Sequence, residues 1–357
     1  MWHKKDNGNM NWIIKNLITN KRNNTILYVI VIGLLVINFS NLIKQPNIKL
    51  SISVFIVFVT VFKTFSDYWY RHLYRKNQKI LDNIKELSKN GEYQEIVNNA
   101  NKIRIIKPHI LEKTYWLGFA NVYLNNPKFA LECFNRVEKD FPDFSGLFYH
   151  KGLSLIDLNR NEEAIDILTY AIKLDKNWQN YDQRGVAYMN INEYELAEKD
   201  FVKSIELKID HSNTCNLGVL NDKKGNHKKA IEFYNKSIEA YKENANAFHN
   251  RGLANYYLEN FEKSIEDYTK VLEINPKRDG SLYKRAIAYQ AIKKYDLAIK
   301  DFDKAEELGS KNEYLFLNRG ICEIEKGDKK SGLRDLKKAL ELDCAEAEGL
   351  IKKNEHE

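Results

Sequence analysis

The stretch FHNRGLANYYLENFEKSIEDYTKVLEINP, from Phe248 to Pro276, decides the fold because its spacing recurs along the chain. Gly252 within it belongs to a column of small residues that recur every 33 or 34 positions. The column consists of Gly118, Gly152, Gly185, Gly218, Gly252, Ala286 and Gly320. Small residues let two helices approach closely. This spacing therefore predicts repeated pairs of packed helices.

Two further columns keep a constant distance from the first. Twelve residues after each small residue comes a second small one: Ala130, Ala164, Ala197, Ala230, Ser264, Ala298 and Gly332. Four residues further comes a large apolar one: Phe134, Leu168, Phe201, Tyr234, Tyr268, Phe302 and Leu336. We expect the large residue to fill the space beside the small ones. Because the twelve-residue offset never varies, we predict that the two helices of a pair pack in the same way in every unit.

These columns resemble the tetratricopeptide repeat family, whose pattern the quoted stretch matches through Pro276. The resemblance implies an all-α fold, a right-handed α-solenoid of stacked helix–turn–helix units that are buried by their neighbours. Seven clear units cover about 111–345, and a degenerate eighth unit spans 77–110, where Ile84 and Ile96 replace the small residues. The predicted solenoid is thus 77–345, and 346–357 are predicted to form a capping helix and tail.

Two apolar segments precede the repeats. Residues 26–43 carry no charge over 18 positions, and 48–65 form a second run of 18 with lysines only near its ends. Each is close to the length of a bilayer core as a helix, so the sequence predicts a transmembrane hairpin. A pair of buried core segments is the alternative, since short Val/Ile/Phe-rich runs are ambiguous.

Charge sets the predicted orientation of that hairpin. Eleven Lys/Arg flank it, five in a basic tail (1–25) and six in 66–90, against two, Lys44 and Lys49, where the spans are connected. This asymmetry predicts a multi-pass protein of the cell membrane, with both termini and the solenoid in the cytoplasm. Residues 66–76 are then a basic juxtamembrane linker. The first 110 residues carry a charge of +11, whereas the whole chain carries +7, so the residues after 110 are net acidic. An acidic repeat region argues against a nucleic-acid partner.

No catalytic or metal-binding pattern is present in the sequence. It lacks GxxxxGK[ST], HExxH and GxSxG, and its eight histidines are scattered. We therefore expect no enzyme activity, no cofactor, no metal and no small-molecule substrate. Four cysteines without a CxxC pair, at positions 133, 215, 322 and 344, predict reduced thiols rather than a disulfide framework.

Arginine and aspartate appear together in four of the seven units. The arginine directly precedes the first small residue, and the aspartate follows it by 16 positions. The pairs are Arg184 with Asp200, Arg251 with Asp267, Arg285 with Asp301, and Arg319 with Asp335. The other three units have neither residue. This joint occurrence predicts structural ion pairs between packed helices rather than binding residues.

The family resemblance also implies a concave groove lined by first-helix residues. Three positions before each small residue lie Tyr115, Tyr149, Asp182, Cys215, His249, Tyr283 and Leu317. Directly after it lie Phe119, Leu153, Val186, Val219, Leu253, Ile287 and Ile321. Two positions before it, Asn216, Asn250 and Asn318 are candidates to bond a bound peptide backbone. The apolar column favours an amphipathic helix or an extended apolar peptide as ligand. The alternative is that it packs against the adjacent helix.

The Lys/Asn set by which chaperone-binding members of the family clamp a carboxylate is missing from these columns. The sequence thus predicts a membrane-anchored scaffold that recruits a protein or peptide partner to the cytoplasmic face. Two alternatives stay open. The solenoid would act as a sensor that closes on a peptide or ligand, or the hairpin would make the protein an assembly factor of a larger membrane complex through Asn38, Ser40 and Asn41.

Overall fold

A computed structural model describes residues 48–104, 109–140 and 142–356, and all regular structure within these ranges is helical. The described helices are α1 (Ile48–Asn90), α2 (Tyr93–Lys102), α3 (His109–Tyr123), α4 (Pro127–Glu138), α5 (Ser145–Asp157), α6 (Asn161–Leu174), α7 (Trp178–Asn190), α8 (Tyr194–Leu207), α9 (His211–Lys223), α10 (His227–Ala240), α11 (Ala245–Tyr257), α12 (Phe261–Ile274), α13 (Asp279–Ala291), α14 (Tyr295–Glu307), α15 (Glu313–Lys326), α16 (Lys329–Glu341) and α17 (Glu346–His356). The seven predicted units correspond to the pairs from α3/α4 to α15/α16.

The small and large columns pack as predicted. A Cβ atom added to Gly118 would lie 2.8 Å from the Phe134 ring, and one added to Gly152 would lie 2.6 Å from Leu168. Such distances leave no room for a side chain. The large residues are themselves almost fully buried, and Phe134 and Leu168 have no exposed surface. The predicted close approach of the two helices in a unit is confirmed.

A left-handed backbone residue ends the first helix of every unit. It lies seven positions after the first small residue: Gly91, Asn125, Asn159, Asn192, Gly225, Glu259, Lys293 and Gly327. The amide of the next residue donates back to the helix, as in the 2.9 Å bond from Asn260 N to the Asn255 carbonyl. This is the geometry of a helix C-terminal cap. Gly91 keeps the same register, so the degenerate unit shares this turn.

The chain forms two compact units divided between Leu174 and Asp175. In the first, Leu81, Ile84 and Ile96 form a core with the start of the repeats. In the second, α17 packs through Ala347 and Ile351 onto the apolar cluster of the last repeats, where the sequence predicts a capping helix.

The N-terminal elements differ from the expectation. The second predicted span (48–65), the predicted linker (66–76) and the first helix of the degenerate unit form the single helix α1. No Gly or Pro interrupts residues 48–90, which accounts for this continuity. Asn77 is buried and joins α1 to the end of α2, since its side chain bonds the Arg104 carbonyl (3.0 Å) and amide (3.2 Å).

The basic tail, the first predicted span (26–43) and the hairpin connection lie outside the described residues. Within the ranges that are described, no helix has both the length and the apolarity needed to cross a membrane. The predicted two-span hairpin is therefore not confirmed.

Candidate partner-binding surface

All four predicted Arg–Asp pairs are formed between the two helices of a unit. Arg184 bonds Asp200 through two nitrogens at 2.7 and 2.8 Å, and Arg285 bonds Asp301 at the same distances. The Arg251–Asp267 and Arg319–Asp335 pairs have the same side-on arrangement. The aspartates are 3–6% exposed. Two parallel bonds to a buried carboxylate are characteristic of a strong, oriented pair, so these residues hold the unit together.

Three of these arginines also reach the preceding unit. Nη1 of Arg251 donates to Asn235 (2.6 Å), Nη1 of Arg285 to Thr269 (3.0 Å), and Nη1 of Arg319 to Asp303 (2.7 Å). Each acceptor directly follows the large residue of its own unit. The sequence pattern did not predict this second contact, although a polar residue at that position in these units indicates it. Each guanidinium therefore couples two neighbouring units.

Four members of the column three positions before the small residue contact the next unit: Asp182, Cys215, His249 and Tyr283. Asn216 Nδ2 donates to both Asp182 oxygens at 3.1 Å, and Asn318 Nδ2 approaches the Tyr283 hydroxyl at 3.4 Å. Asn250 Nδ2 lies 3.9 Å from the Cys215 sulfur. The three asparagines expected to bond a partner's backbone are thus engaged within the array. His249 instead lies 2.9 Å from the Ser281 hydroxyl.

Asp182 is a buried carboxylate without a cation. It is 1% exposed, and its described hydrogen-bond donors are the amides of Asn216 and Gln183. No cationic side chain pairs with it among the described residues. Burial, with Asp210 as a second negative charge nearby, raises the pKa of Asp182 to about 6. The carboxylate therefore costs stability when it is ionised.

The apolar column directly after the small residue is half-buried. Its members pack against the apolar clusters of their units: Phe119, Leu153, Val186, Val219, Ile287 and Ile321. This is the packing alternative that the sequence left open. Each of these residues keeps part of its surface exposed, so a role in ligand binding stays a prediction.

Aromatic residues are concentrated in the first unit. The Phe119 ring lies 4.9 Å from that of His150, and Tyr93 stacks on Tyr123 at 4.5 Å. Burial lowers the pKa of His150 to about 4, so the ring is neutral at physiological pH. Tyr123 stays 44% exposed at the edge of this cluster. The cluster thus offers one exposed aromatic surface on a rigid base.

Metal and thiol chemistry have no assembled site in the described ranges. There, no three His, Cys, Asp or Glu side chains are grouped as metal ligands would be. All four cysteines are buried and free of disulfides, as predicted. Burial raises the pKa of Cys133 and Cys215 to about 11, which makes these thiols poor nucleophiles.

Comparison with known proteins identifies the repeat. Residues 145–177, 179–211, 214–244, 245–278 and 280–312 match profiles described as tetratricopeptide repeat. The chain carries tetratricopeptide repeats. Human tetratricopeptide repeat protein 13 is 27% identical over 170 residues, which cover 46% of this chain and 20% of that protein. This chain spans a fifth or less of the curated relatives it matches.

Solved structures show the same tetratricopeptide fold. The Cut9–Hcn1 hetero-tetramer of the APC/C aligns with a TM-score of 0.59 and 15% identity, over 73% of this chain and 52% of that one. PilF from Pseudomonas aeruginosa aligns with a TM-score of 0.54 and 16% identity, over 58% and 96%. At these identities the likeness establishes the fold alone. Tetratricopeptide arrays suggest a scaffold for protein–protein interaction.

Proposed function

We propose that the array is a scaffold that binds a protein or peptide partner through its first helices. The observation that carries this is that the arginines, aspartates and asparagines at the repeated positions bond within the array, while the apolar column keeps part of its surface exposed. Leu253 and Ile287, on neighbouring first helices, are two half-buried members of this column. An apolar strip on a rigid frame fits an amphipathic helix or an extended peptide.

The test is co-purification of the full chain with mass spectrometry of retained proteins. Leu253→Arg on α11 places a charge in the apolar column. The matched control is Leu297→Arg on α14, where the leucine is already 43% exposed. We expect a stoichiometric partner to be lost from Leu253→Arg and kept by Leu297→Arg, with unchanged helical content by circular dichroism. A partner kept equally by both variants would contradict binding at this column.

We further propose that residues N-terminal to the repeats attach this scaffold to the cytoplasmic face of a membrane. Support comes from the uncharged stretch 26–43 and from the eleven flanking basic residues. Leu34→Arg places a charge inside that stretch, at a cost of about 2.5–3.5 kcal/mol for insertion. Asn16→Arg in the basic tail is the control. Carbonate-resistant membrane association should fall for the first variant only. A wild-type chain recovered entirely in the supernatant would exclude this proposal.

A further inference from the structure

A cavity of about 510 Å³ opens in the first compact unit where α3, α4 and the start of α5 meet. Its apolar walls are Leu111, Tyr115, Val137 and Phe144. The Tyr115 and Phe144 rings lie 5.1 Å apart, and Phe144 is 43% exposed. This volume lies within the range of about 300–1,000 Å³ that is typical of ligand pockets. We name it the Phe144 pocket.

The pocket exists because α4 is short. It has 12 residues, whereas α6, α8, α10 and α12 have 14. Residues 139–144 then connect α4 to α5, and Pro142 ends any continuation of the helix. The Tyr170 hydroxyl on α6 donates to the Pro142 carbonyl at 3.2 Å and holds this connection against the next helix. The repeat spacing is preserved, so the shortened helix leaves open space.

Three carboxylates surround the apolar walls, those of Glu112, Asp140 and Asp143. Within the part of the chain that the structure describes, none of them is in an ion pair, and none of the described residues that line the pocket is a lysine or an arginine. This contrasts with Asp200, Asp267, Asp301 and Asp335, which are each paired with an arginine. The pocket therefore combines aromatic faces with uncompensated negative charge.

We propose that the Phe144 pocket binds an arginine side chain and an adjacent apolar residue of a protein partner. Arginine has a planar guanidinium that stacks on aromatic rings and five N–H donors that suit carboxylates. Its aliphatic stem would lie along Val137 and Leu111 while the head meets the acidic rim. A neighbouring leucine would fill the rest of the apolar wall. The inference rests on the scaffold function and specifies the chemistry of its partner.

The probe is acetyl-Leu-Arg-Leu-amide, titrated into the full chain by isothermal calorimetry. The control peptide carries citrulline, which has the shape of arginine without its charge. We expect the arginine peptide to bind at least tenfold more tightly, and this preference to shrink as salt rises. Equal affinity for the two peptides would overturn the inference.

Variants locate the binding. A triple variant neutralises the rim with Glu112→Gln, Asp140→Asn and Asp143→Asn. A control triple variant neutralises three exposed carboxylates elsewhere in the first compact unit with Glu132→Gln, Glu162→Gln and Asp166→Asn. The rim variant should lose the tenfold preference for arginine, and the control should keep it. Equal preference in both would place the peptide elsewhere and refute the pocket.

Phe144→Ala separates apolar contact from charge. It should weaken the arginine and citrulline peptides alike, by about tenfold, because it removes the wall that both share. No change for either peptide would refute the role of the aromatic wall. The proposed scaffold function is tested separately. If the chain prefers the arginine peptide but retains no partner in co-purification, the pocket proposal stands and the scaffold function is refuted.

Discussion

The substitution Asp182→Asn should stabilise the protein at neutral pH. Asp182 is 1% exposed and has no cation to offset its charge. Burial raises its pKa from 3.8 to about 6, and a shift of this size corresponds to about 3 kcal/mol of unfavourable ionisation. The amide loses one acceptor and with it about 1 kcal/mol. We therefore expect a net gain of about 2 kcal/mol at pH 8.

The sign of the pH dependence follows from the raised pKa. Below pH 3.8 the carboxyl is neutral in both folded and unfolded chains, and it costs nothing. Between pH 3.8 and about 6 only the unfolded chain ionises, so the penalty grows, and above that range it is constant. The advantage of the Asn variant should thus be fully present at pH 8, and at pH 4 the lost acceptor should leave the variant slightly less stable than the wild type.

Urea unfolding of the full chain, followed by far-ultraviolet circular dichroism at pH 4 and pH 8, measures this difference. Asp200→Asn is the matched control, because Asp200 is equally buried on α8 but is paired with Arg184. Removing that charge should destabilise the protein by about 3 kcal/mol at pH 8. The reasoning is refuted if Asp182→Asn costs as much as the control at pH 8, or if its gain is the same at pH 4.

Three other predictions follow from neighbouring features. Burial raises the pKa of Glu323 to about 7. Glu323→Gln should therefore raise the free energy of unfolding by about 1 kcal/mol above pH 7 and leave it unchanged at pH 4, a figure that is reduced for solvent screening. Urea unfolding measures this difference. Glu259 has a φ of 59°, so Glu259→Gly should raise stability by about 0.5–1 kcal/mol while Gly225→Ala lowers it by a similar amount; a loss in the first variant would contradict the strain argument. Arg251→Leu should cost about 2–3 kcal/mol, part of which returns when Asp267→Leu is added, whereas strict additivity of the two melting shifts would exclude the pair.

Residue types with one physical role could be read from the sequence. The repeat spacing predicted a close helix contact at Gly218. The structure confirms it, because a Cβ there would lie 2.5 Å from the Tyr234 ring. The joint presence of Arg319 and Asp335 predicted their contact, because a buried charge requires its partner. These are the features for which one side chain dictates its neighbour.

The rest depended on neighbours about 34 residues away or on backbone conformation. Asp182 was assigned to a ligand groove, yet Asn216 in the next unit covers it. The left-handed position accepts Asn, Gly, Glu and Lys alike, so residue type does not reveal it. The Phe144 pocket arises from the length of α4. The basic residues 66–76 suggested a linker between the second apolar segment and the repeats. Helix α1 runs through them because they contain no Gly or Pro.

The helix α1 is continuous from Ile48 to Asn90, so it connects residue 48 directly to the start of the repeats. At about 1.5 Å per residue, its 43 residues form a rod of about 65 Å. Its C-terminal half packs against α2, and the two hydrogen bonds between Asn77 and the Arg104 backbone hold it there. A sideways force applied near residue 48 would be transmitted along α1 to the first repeat, because no break interrupts this helix. The aromatic cluster around Phe119 is thus connected, through the contact of its ring with Tyr93 on α2, to the helix that begins at Ile48.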